Sequence, residues 1–136
     1  MSPELEKNLK DRYSDLFSEN FTHFYCDDGW YRLIENTLKL IQYRKNYTNI
    51  DISINQIKEK FGGLRIYCNN SDDFIFGITY MAELMSLYTC EITGKPGFLC
   101  RNKNGVLIKT LCVEEAEKQG FYVLNPDSSG FYVLNP

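Results

Sequence analysis

Residues 50–68, IDISINQIKEKFGGLRIYC, contain two alternating segments on either side of a glycine pair. Apolar residues take every second position in both segments, at Ile50, Ile52 and Ile54 and again at Leu64, Ile66 and Cys68. A period of two is typical of strands that bury one face. KEKFGG lies between the segments and predicts a tight turn, because glycine adopts backbone angles that other residues avoid. The stretch therefore predicts two strands of a small antiparallel sheet.

Helical periodicity appears on both sides of these strands. A first helix covers about residues 3–18, and Asp27 or Asp28 caps a second helix. The second helix has an apolar stripe formed by Trp30, Leu33, Ile34, Leu38 and Ile41. A third helix, after the strands, has one face lined by Phe74, Ile78, Met81, Met85 and Tyr88. These elements predict a single α+β domain over residues 1–124, in which a small antiparallel sheet carries helices on one face.

The composition is that of an ordinary globular protein. Of the 136 residues, 43% are hydrophobic and 24% are charged, which excludes a disordered chain. Aromatic residues reach 15%, and they predict either a core filled with rings or a tyrosine-rich recognition surface. The net charge of −3 comes without a basic stripe, so we do not expect general binding to nucleic acid.

Cysteine usage and hydropathy indicate the compartment. Five cysteines, an odd number with wide spacing, do not form a disulfide framework. The first residues, MSPELEKNLKDRY, form a charged helix start without the apolar centre of a signal peptide, and no apolar run reaches transmembrane length. These features predict a reduced, cytoplasmic protein without a membrane partner.

Residues 89–120 predict a module like a treble clef or zinc ribbon that has lost some of its metal ligands. A zinc knuckle places two cysteines on one tight turn, so that both sulfurs point at a tetrahedral centre. In this chain the turn after Cys90 has Thr93 where the second sulfur belongs. A predicted hairpin follows, and then a short helix that begins near Cys112 but has Glu115 in place of the fourth ligand.

Two interpretations of these cysteines are open. In the first, Cys90 and Cys112 hold zinc weakly with the carboxylate of Glu115, and Cys100 on the hairpin is a further sulfur at an unsuitable spacing. In the second, no cofactor is bound, and the thiols are small buried hydrophobic groups that hold the turn against the helix. We expect the second, and therefore a degenerate zinc finger.

Three motifs carry a resemblance to a known family: CDDGWYRLI at residues 26–34, QIKEKFGGLRIY at 56–67, and TCEITGKPG with KTLC at 89–97 and 109–112. They resemble a family of small uncharacterised proteins of phages, prophages and bacterial genomes, over about residues 12–120 of this chain. Members of that family often carry the fuller Cys-x-x-Cys pattern, from which this chain departs at Thr93 and Glu115. The resemblance implies a phage or mobile-element protein in the cytoplasm of its host, and it implies no mechanism.

The turn between the two strands is also the candidate binding site. Glycines expose main-chain N–H groups, and flanking cations would attract an anion. The candidate residues for a ligand or partner are Lys58, Lys60, Gly62, Gly63 and Arg65, with Tyr67 and Trp30 as aromatic contacts. The pattern is neither a dinucleotide-binding fingerprint nor a P-loop. A small anion or nucleotide, an acidic partner protein and a solvated turn all stay open as interpretations, as does a core position for Trp30.

The sequence predicts no catalytic residues. The single histidine, His23, lies close to Cys26, but proximity in sequence is poor evidence for a catalytic pair. The neighbouring aspartates are explained as helix caps. The balance is therefore against an enzyme.

The C-terminal segment contains a repeat. GFYVLNP at residues 120–126 recurs unchanged at 130–136. The first copy predicts an edge strand. The second copy, in the tail 125–136, predicts either a peripheral segment or a homodimer contact. In the homodimer, it would dock on a neighbouring chain in the way that the first copy docks on its own chain.

Small size, abundant tyrosine, the lack of a catalytic site and the resemblance together predict a non-enzymatic binding protein of phage or mobile-element origin. It would dock on a host or phage protein and modulate it, for example as an inhibitor of a defence system. The alternatives are a small-molecule or nucleotide-binding protein that uses the KEKFGGLR segment, and a weak zinc-binding structural module.

Overall fold

The computed structural model describes residues 1–124, and it confirms the α+β class. Within these residues the helices are α1 (Pro3–Arg12), α2 (Tyr31–Thr48), α3 (Asp73–Ser86) and α4 (Val113–Gln119). The strands are β1 (Phe24–Tyr25), β2 (Ser53–Lys60), β3 (Gly63–Asn69), β4 (Phe98–Asn102), β5 (Ile108–Leu111) and β6 (Phe121–Val123). None of the helices in this part of the chain is long and apolar enough to cross a membrane. The second GFYVLNP copy, with the dimer contact predicted for it, lies outside the described residues.

The first sheet has the order β1-β2-β3, with β1 parallel and β3 antiparallel to β2. Phe61 and Gly62 form the turn between β2 and β3, with φ angles of 53° and 80°. Two-residue turns of this kind match the twist of the strands that they join. The predicted turn was too long, because residues 58–60 belong to β2, where Lys58 is half-buried and Lys60 is exposed. The strand begins at Ser53, not at Ile50.

Helices α1, α2 and α3 form the larger hydrophobic core with the first sheet. The apolar stripe predicted for the second helix is confirmed, since Trp30, Ile34, Leu38 and Ile41 are fully buried and Leu33 is half-buried against the same core. Helix α1 ends at Arg12, and a single 3₁₀ turn follows it. The predicted extension of α1 to residue 18 is therefore wrong, because the chain leaves the helix to bury Leu16.

Helix α3 begins with a capped turn, in which the N–H of Ile75 donates to the Asp72 side chain at 2.9 Å. The face of α3 that packs against the core is formed by Ile75, Thr79, Ala82, Glu83 and Ser86. The stripe predicted from the sequence lies mostly on the other side. Its members Phe74, Met81, Met85 and Tyr88 are all classed as exposed, with Met81 57% and Tyr88 74% accessible. Helix α3 is consequently apolar on its outer face as well as on its inner one.

The second sheet has the order β5-β4-β6, and all its pairs are antiparallel. It packs with α4 around a small core of Cys90, Cys100, Leu111, Cys112 and Ala116. The first GFYVLNP copy provides β6, in which Val123 pairs with Cys100, so the predicted edge strand is confirmed.

Long-range hydrogen bonds join this C-terminal part to the rest of the chain. The Thr110 hydroxyl donates to the carbonyl oxygen of Gly62 at 2.6 Å in a buried position. The Trp30 indole donates to the Thr89 carbonyl at 2.8 Å, and the N–H of Gly29 donates to the carbonyl of Glu91 at 2.7 Å. The turn of the first sheet and the start of α2 are thus both hydrogen-bonded to this C-terminal part.

Candidate functional site

The two glycines of the KEKFGG segment contact protein and not open solvent. Gly62 and Gly63 are buried, and Gly62 packs against the second sheet. A Cβ atom at position 62 would lie 2.8 Å from Cδ1 of Leu99. The freedom of Gly62 therefore serves the close approach of the two sheets, and its main chain is not displayed to a ligand.

The three cations of this segment occupy different environments. Arg65 is buried, and its Nη1 lies 2.6 Å from Oε1 of the equally buried Glu83. Lys58 is half-buried and lies across the ladder from Arg65. Lys60 is exposed, with Nζ 5.7 Å from the centre of the Phe61 ring. The charge of Arg65 is therefore balanced within the protein, and Lys60 is the exposed cation of the three.

A groove of about 450 Å³ runs between β3 and α3, and we call it the strand–helix groove. It is lined by Lys60, Phe61, Arg65, Ile66, Tyr67, Cys68 and Ser71, and by Phe76, Thr79, Tyr80 and Glu83 of α3. The structure thus brings together three of the predicted binding residues, Lys60, Arg65 and Tyr67. The other predicted residues, Lys58, Gly62, Gly63 and Trp30, are not part of this lining.

One wall of the groove is the open edge of β3, since only β2 pairs with β3 among the described strands. The two-residue turn makes Lys60 and Gly63 a hydrogen-bonded pair, and such pairs recur at every second residue of an antiparallel ladder. The main-chain groups of Ile66 therefore point away from β2. The N–H of Leu64 has the same direction, and it donates to Oγ of Ser86 at 2.9 Å. Beyond Leu64, the outer edge of β3 faces the groove.

Aromatic side chains stand around this edge. Phe61, Tyr67 and Phe76 are 60%, 42% and 45% exposed, although each is large and largely apolar. Phe76 also stacks on Tyr80 with ring centres 6.1 Å apart. The sequence indicated the importance of Lys60 and Tyr67, but it could not show that α3 supplies the opposite wall.

Trp30 does not form part of a surface. It is fully buried, and its indole N–H is satisfied by the Thr89 carbonyl. The prediction of Trp30 as a partner contact is therefore corrected, and its alternative role as a core anchor is the one observed.

His23 and Cys26 have separate partners. Nδ1 of His23 lies 3.2 Å from Oε2 of Glu6 on an exposed surface. Cys26 is buried, and burial together with the charge of Glu91 raises the pKa of its thiol to about 12. A thiol with so high a pKa is almost entirely protonated at neutral pH and is a poor nucleophile.

Three cysteines meet in the core of the second sheet. Burial opposes ionisation of Cys90, but hydrogen bonds from the Thr93 side chain and from the main chain of Cys112 and Ile92 lower the pKa of its thiol. The Thr93 hydroxyl also lies 3.7 Å from Sγ of Cys112, and Sγ of Cys100 donates to the Phe98 carbonyl at 3.1 Å. The threonine that replaces the expected ligand thus takes part in the network around the thiols.

The fourth expected position, Glu115, bonds locally along α4. Its Oε2 accepts from the Gln119 amide at 3.2 Å, and its Oε1 lies 3.8 Å from Nζ of Lys118. Within residues 1–124 no group of three or more His, Cys, Asp or Glu side chains has an arrangement that could hold a metal ion. The degenerate zinc module stays a prediction.

Glu91 is a buried ionisable residue that the sequence did not single out. Its Oε1 accepts from the N–H of Asp27 at 3.2 Å, and its Oε2 lies 3.8 Å from Nζ of Lys109. Burial raises the pKa of this carboxyl to about 7, against the opposing effect of Lys109. The sequence around Glu91 gives no signal of this burial, because the burial depends on contacts with residues some sixty positions earlier.

No family model, no curated protein and no solved structure matches this chain.

Proposed function

We propose that this chain is a non-enzymatic binding protein, and that its strand–helix groove takes up an extended segment of a partner protein. The observation that carries the proposal is the open edge of β3 beside the exposed rings of Tyr67 and Phe76. An extended peptide can pair its main chain with such an edge, while its alternate side chains enter pockets along the groove.

The chemistry of the lining favours a particular kind of segment. Aromatic rings with a hydroxyl group, such as those of Tyr67 and Tyr80, provide rigid contact area and are common in protein interfaces. The floor contains Arg65 and Glu83, whose charges balance each other. Lys60 at the mouth of the groove bonds to no acidic group among residues 1–124. The partner segment should therefore be apolar or aromatic, with an acidic residue near Lys60.

The resemblance to phage and prophage proteins supports a partner of host or phage origin. A partner segment that pairs with the open edge of β3 would be held in an extended form, and the partner protein would thereby be modulated. Inhibition of a host protein, such as a component of a defence system, is the form of modulation that we propose.

Site-specific photo-crosslinking in the natural host tests this proposal. A photoreactive phenylalanine at position 67 should join the chain to one extended partner segment. The same group at the exposed Tyr122 of the second sheet is the matched control and should not. Equal crosslinking from both positions would contradict a role for the groove.

Charge reversal then tests the recognition of the identified segment. Lys60→Glu should weaken binding of that segment at least tenfold, because it places like charges together. Lys103→Glu, on the exposed turn between β4 and β5, should leave the affinity unchanged. Unchanged affinity for Lys60→Glu would reject the proposed orientation of the segment.

A small molecule in the same groove is the second candidate. Exposed rings above an ionised floor would accept a flat, polar molecule, and Lys60 could contact an anionic group on it. A thermal shift with nucleotides that disappears in Tyr67→Ala would favour this candidate. A flat response across the nucleotides would leave the peptide as the proposed ligand.

A further inference from the structure

We propose that the outer face of α3 pairs with the same face of a second copy of this chain. The contact residues on α3 are Phe74, Gly77, Met81 and Leu84, with Tyr88 two residues after the helix, and we call this set the α3 seam. None of its members lines the strand–helix groove, so it is separate from the proposed peptide site.

The spacing of the α3 seam is that of a helix–helix interface. Its members recur at alternate intervals of three and four residues, which is the spacing of the a and d positions in paired helices. Four of the five are large and apolar, with exposures of 44% for Phe74, 57% for Met81, 36% for Leu84 and 74% for Tyr88. A helix that is apolar all round is normally covered on every side.

Charge and size make the α3 seam complementary to itself. Between Asp73 and the buried Glu83, the helix has no charged residue, so two copies meet without repulsion. In an antiparallel pair whose two-fold axis passes through Met81, residues at nearly equal distances before and after Met81 face each other. Phe74 then faces Tyr88, and Gly77 faces Leu84. A large side chain therefore meets the position that has none.

Gly77 has no explanation within the single chain. It lies in the interior of an exposed helix, where glycine costs about 1 kcal/mol relative to alanine. A Cβ atom at this position would meet nothing within 4 Å, so nothing in the described chain requires glycine there. In the pair, the missing side chain leaves space for Leu84 of the second copy.

The neighbouring surface can widen the contact. A groove of about 630 Å³ between α2 and α3 borders the seam, with Leu33, Leu40, Ile78, Met81 and Met85 among its lining residues. Stable interfaces bury about 800 Å² on each partner, which one helix alone hardly supplies. Side chains of the second copy that enter this groove would form a four-helix arrangement from two α2–α3 pairs.

The oligomeric state of the full chain tests the proposal. Sedimentation over a range of concentrations should show a reversible dimer. Met81→Lys places two like charges at the two-fold axis, and it should raise the dimer dissociation constant at least tenfold. Val106→Lys, at a position 76% exposed in the loop between β4 and β5, is the control and should leave the dimer intact. A monomer at every concentration, or an unchanged dimer with Met81→Lys, would overturn the proposal.

A cysteine substitution tests the geometry without disturbing the packing by charge. Only a residue near the axis faces its own copy, so Met81→Cys should form an intermolecular disulfide on mild oxidation, and Val106→Cys should not. Crosslinking of both variants to the same extent would contradict the antiparallel seam. A monomer that binds a foreign amphipathic helix at Met81 would also overturn it, in favour of a different partner.

Discussion

Arg65 Nη1 and Glu83 Oε1 lie 2.6 Å apart, and their side chains are only 6% and 4% exposed. The pair joins β3 to α3 beneath the strand–helix groove. Removal of one partner leaves a buried charge without its counter-charge, which typically costs about 3–5 kcal/mol. We expect Glu83→Ala to lower the free energy of unfolding by about this amount in urea titrations.

The double variant Arg65→Met/Glu83→Leu distinguishes the contribution of the ion pair to stability from the contribution of the packing around it. It should be close to wild type in stability, because both charges are removed together. The exposed pair of Lys95 and Glu114 is the control, and Glu114→Ala should change stability little. A mild effect of Glu83→Ala would mean that water reaches Arg65 through the groove.

The contact between the two sheets at Gly62 can be measured with a second glycine as reference. Gly62 and Gly105 both lie in turns, with φ angles of 80° and 71°. Alanine at either position is strained by about 1–2 kcal/mol. At position 62 its Cβ would also lie 2.8 Å from Leu99, whereas at position 105 the nearest atom, of Arg101, is 3.7 Å away.

We therefore expect Gly62→Ala to destabilise the protein clearly more than Gly105→Ala in thermal unfolding. Thr110→Val removes the hydroxyl that donates to Gly62, and it should cost about 1–3 kcal/mol. Equal effects of the two alanine variants would show that the sheets can move apart at this point without loss of stability.

Glu91 should make the protein less stable as the pH rises. Burial raises the pKa of its carboxyl to about 7, above the ordinary value of 4.5. Between these values the folded state holds a proton that the unfolded state has released. The stabilisation is complete below pH 4.5 and is lost as the pH rises through 7. The difference corresponds to about 3 kcal/mol.

Glu91→Gln removes this dependence and keeps an oxygen that can accept from Asp27. The variant should be more stable than wild type above pH 7, and the difference should shrink towards pH 5. Urea titrations of both proteins across this range measure it. Parallel stability curves would show that Lys109 keeps the carboxylate charged at every pH.

Restoration of the two missing cysteine ligands tests whether residues 89–120 are a degenerate zinc module. The Thr93 hydroxyl already lies 3.7 Å from Sγ of Cys112, and Glu115 is one helical turn further along α4. Thr93→Cys/Glu115→Cys should therefore bind one zinc ion, with Cys90 and Cys112, more tightly than wild type. Competition with a chromogenic chelator measures the affinity.

Replacement of Cys112 by serine in that variant should abolish the gain in zinc affinity. If the double variant binds zinc no better than wild type, the four positions do not converge. The treble-clef interpretation of residues 89–120 would then be rejected.

The elements with local signals could be predicted from the sequence. Trp30, Ile34, Leu38 and Ile41 recur at helical spacing, and all four are buried, Trp30 directly before α2 and the other three on it. The short strand Phe24–Tyr25 had no such signal, because its pairing with β2 is parallel and comes from more than thirty residues away. Periodicity identifies a local pattern, and long-range pairing lies outside it.

The larger difference between the prediction and the structure is the face of α3 that packs against the core. Periodicity placed Phe74, Met81 and Met85 on one face, but it could not decide whether that face meets the core. The smaller residues Ala82 and Ser86 pack inward instead. In the candidate site, Lys60 and Tyr67 were visible from the sequence. The opposite wall from α3, and the neutralisation of Arg65 by Glu83, depend on tertiary contacts.

The hydrogen bond from Trp30 to Thr89 also bears on how fast the chain folds. It joins residues 59 positions apart, and Gly29 reaches Glu91 beside it. Contacts this distant close a large loop, and their entropy cost must be met before they add stability. Helix α2 and the β2–β3 hairpin can form from near neighbours alone. The last and slowest step should be the docking of Thr89 and Glu91 over the start of α2, which buries the indole.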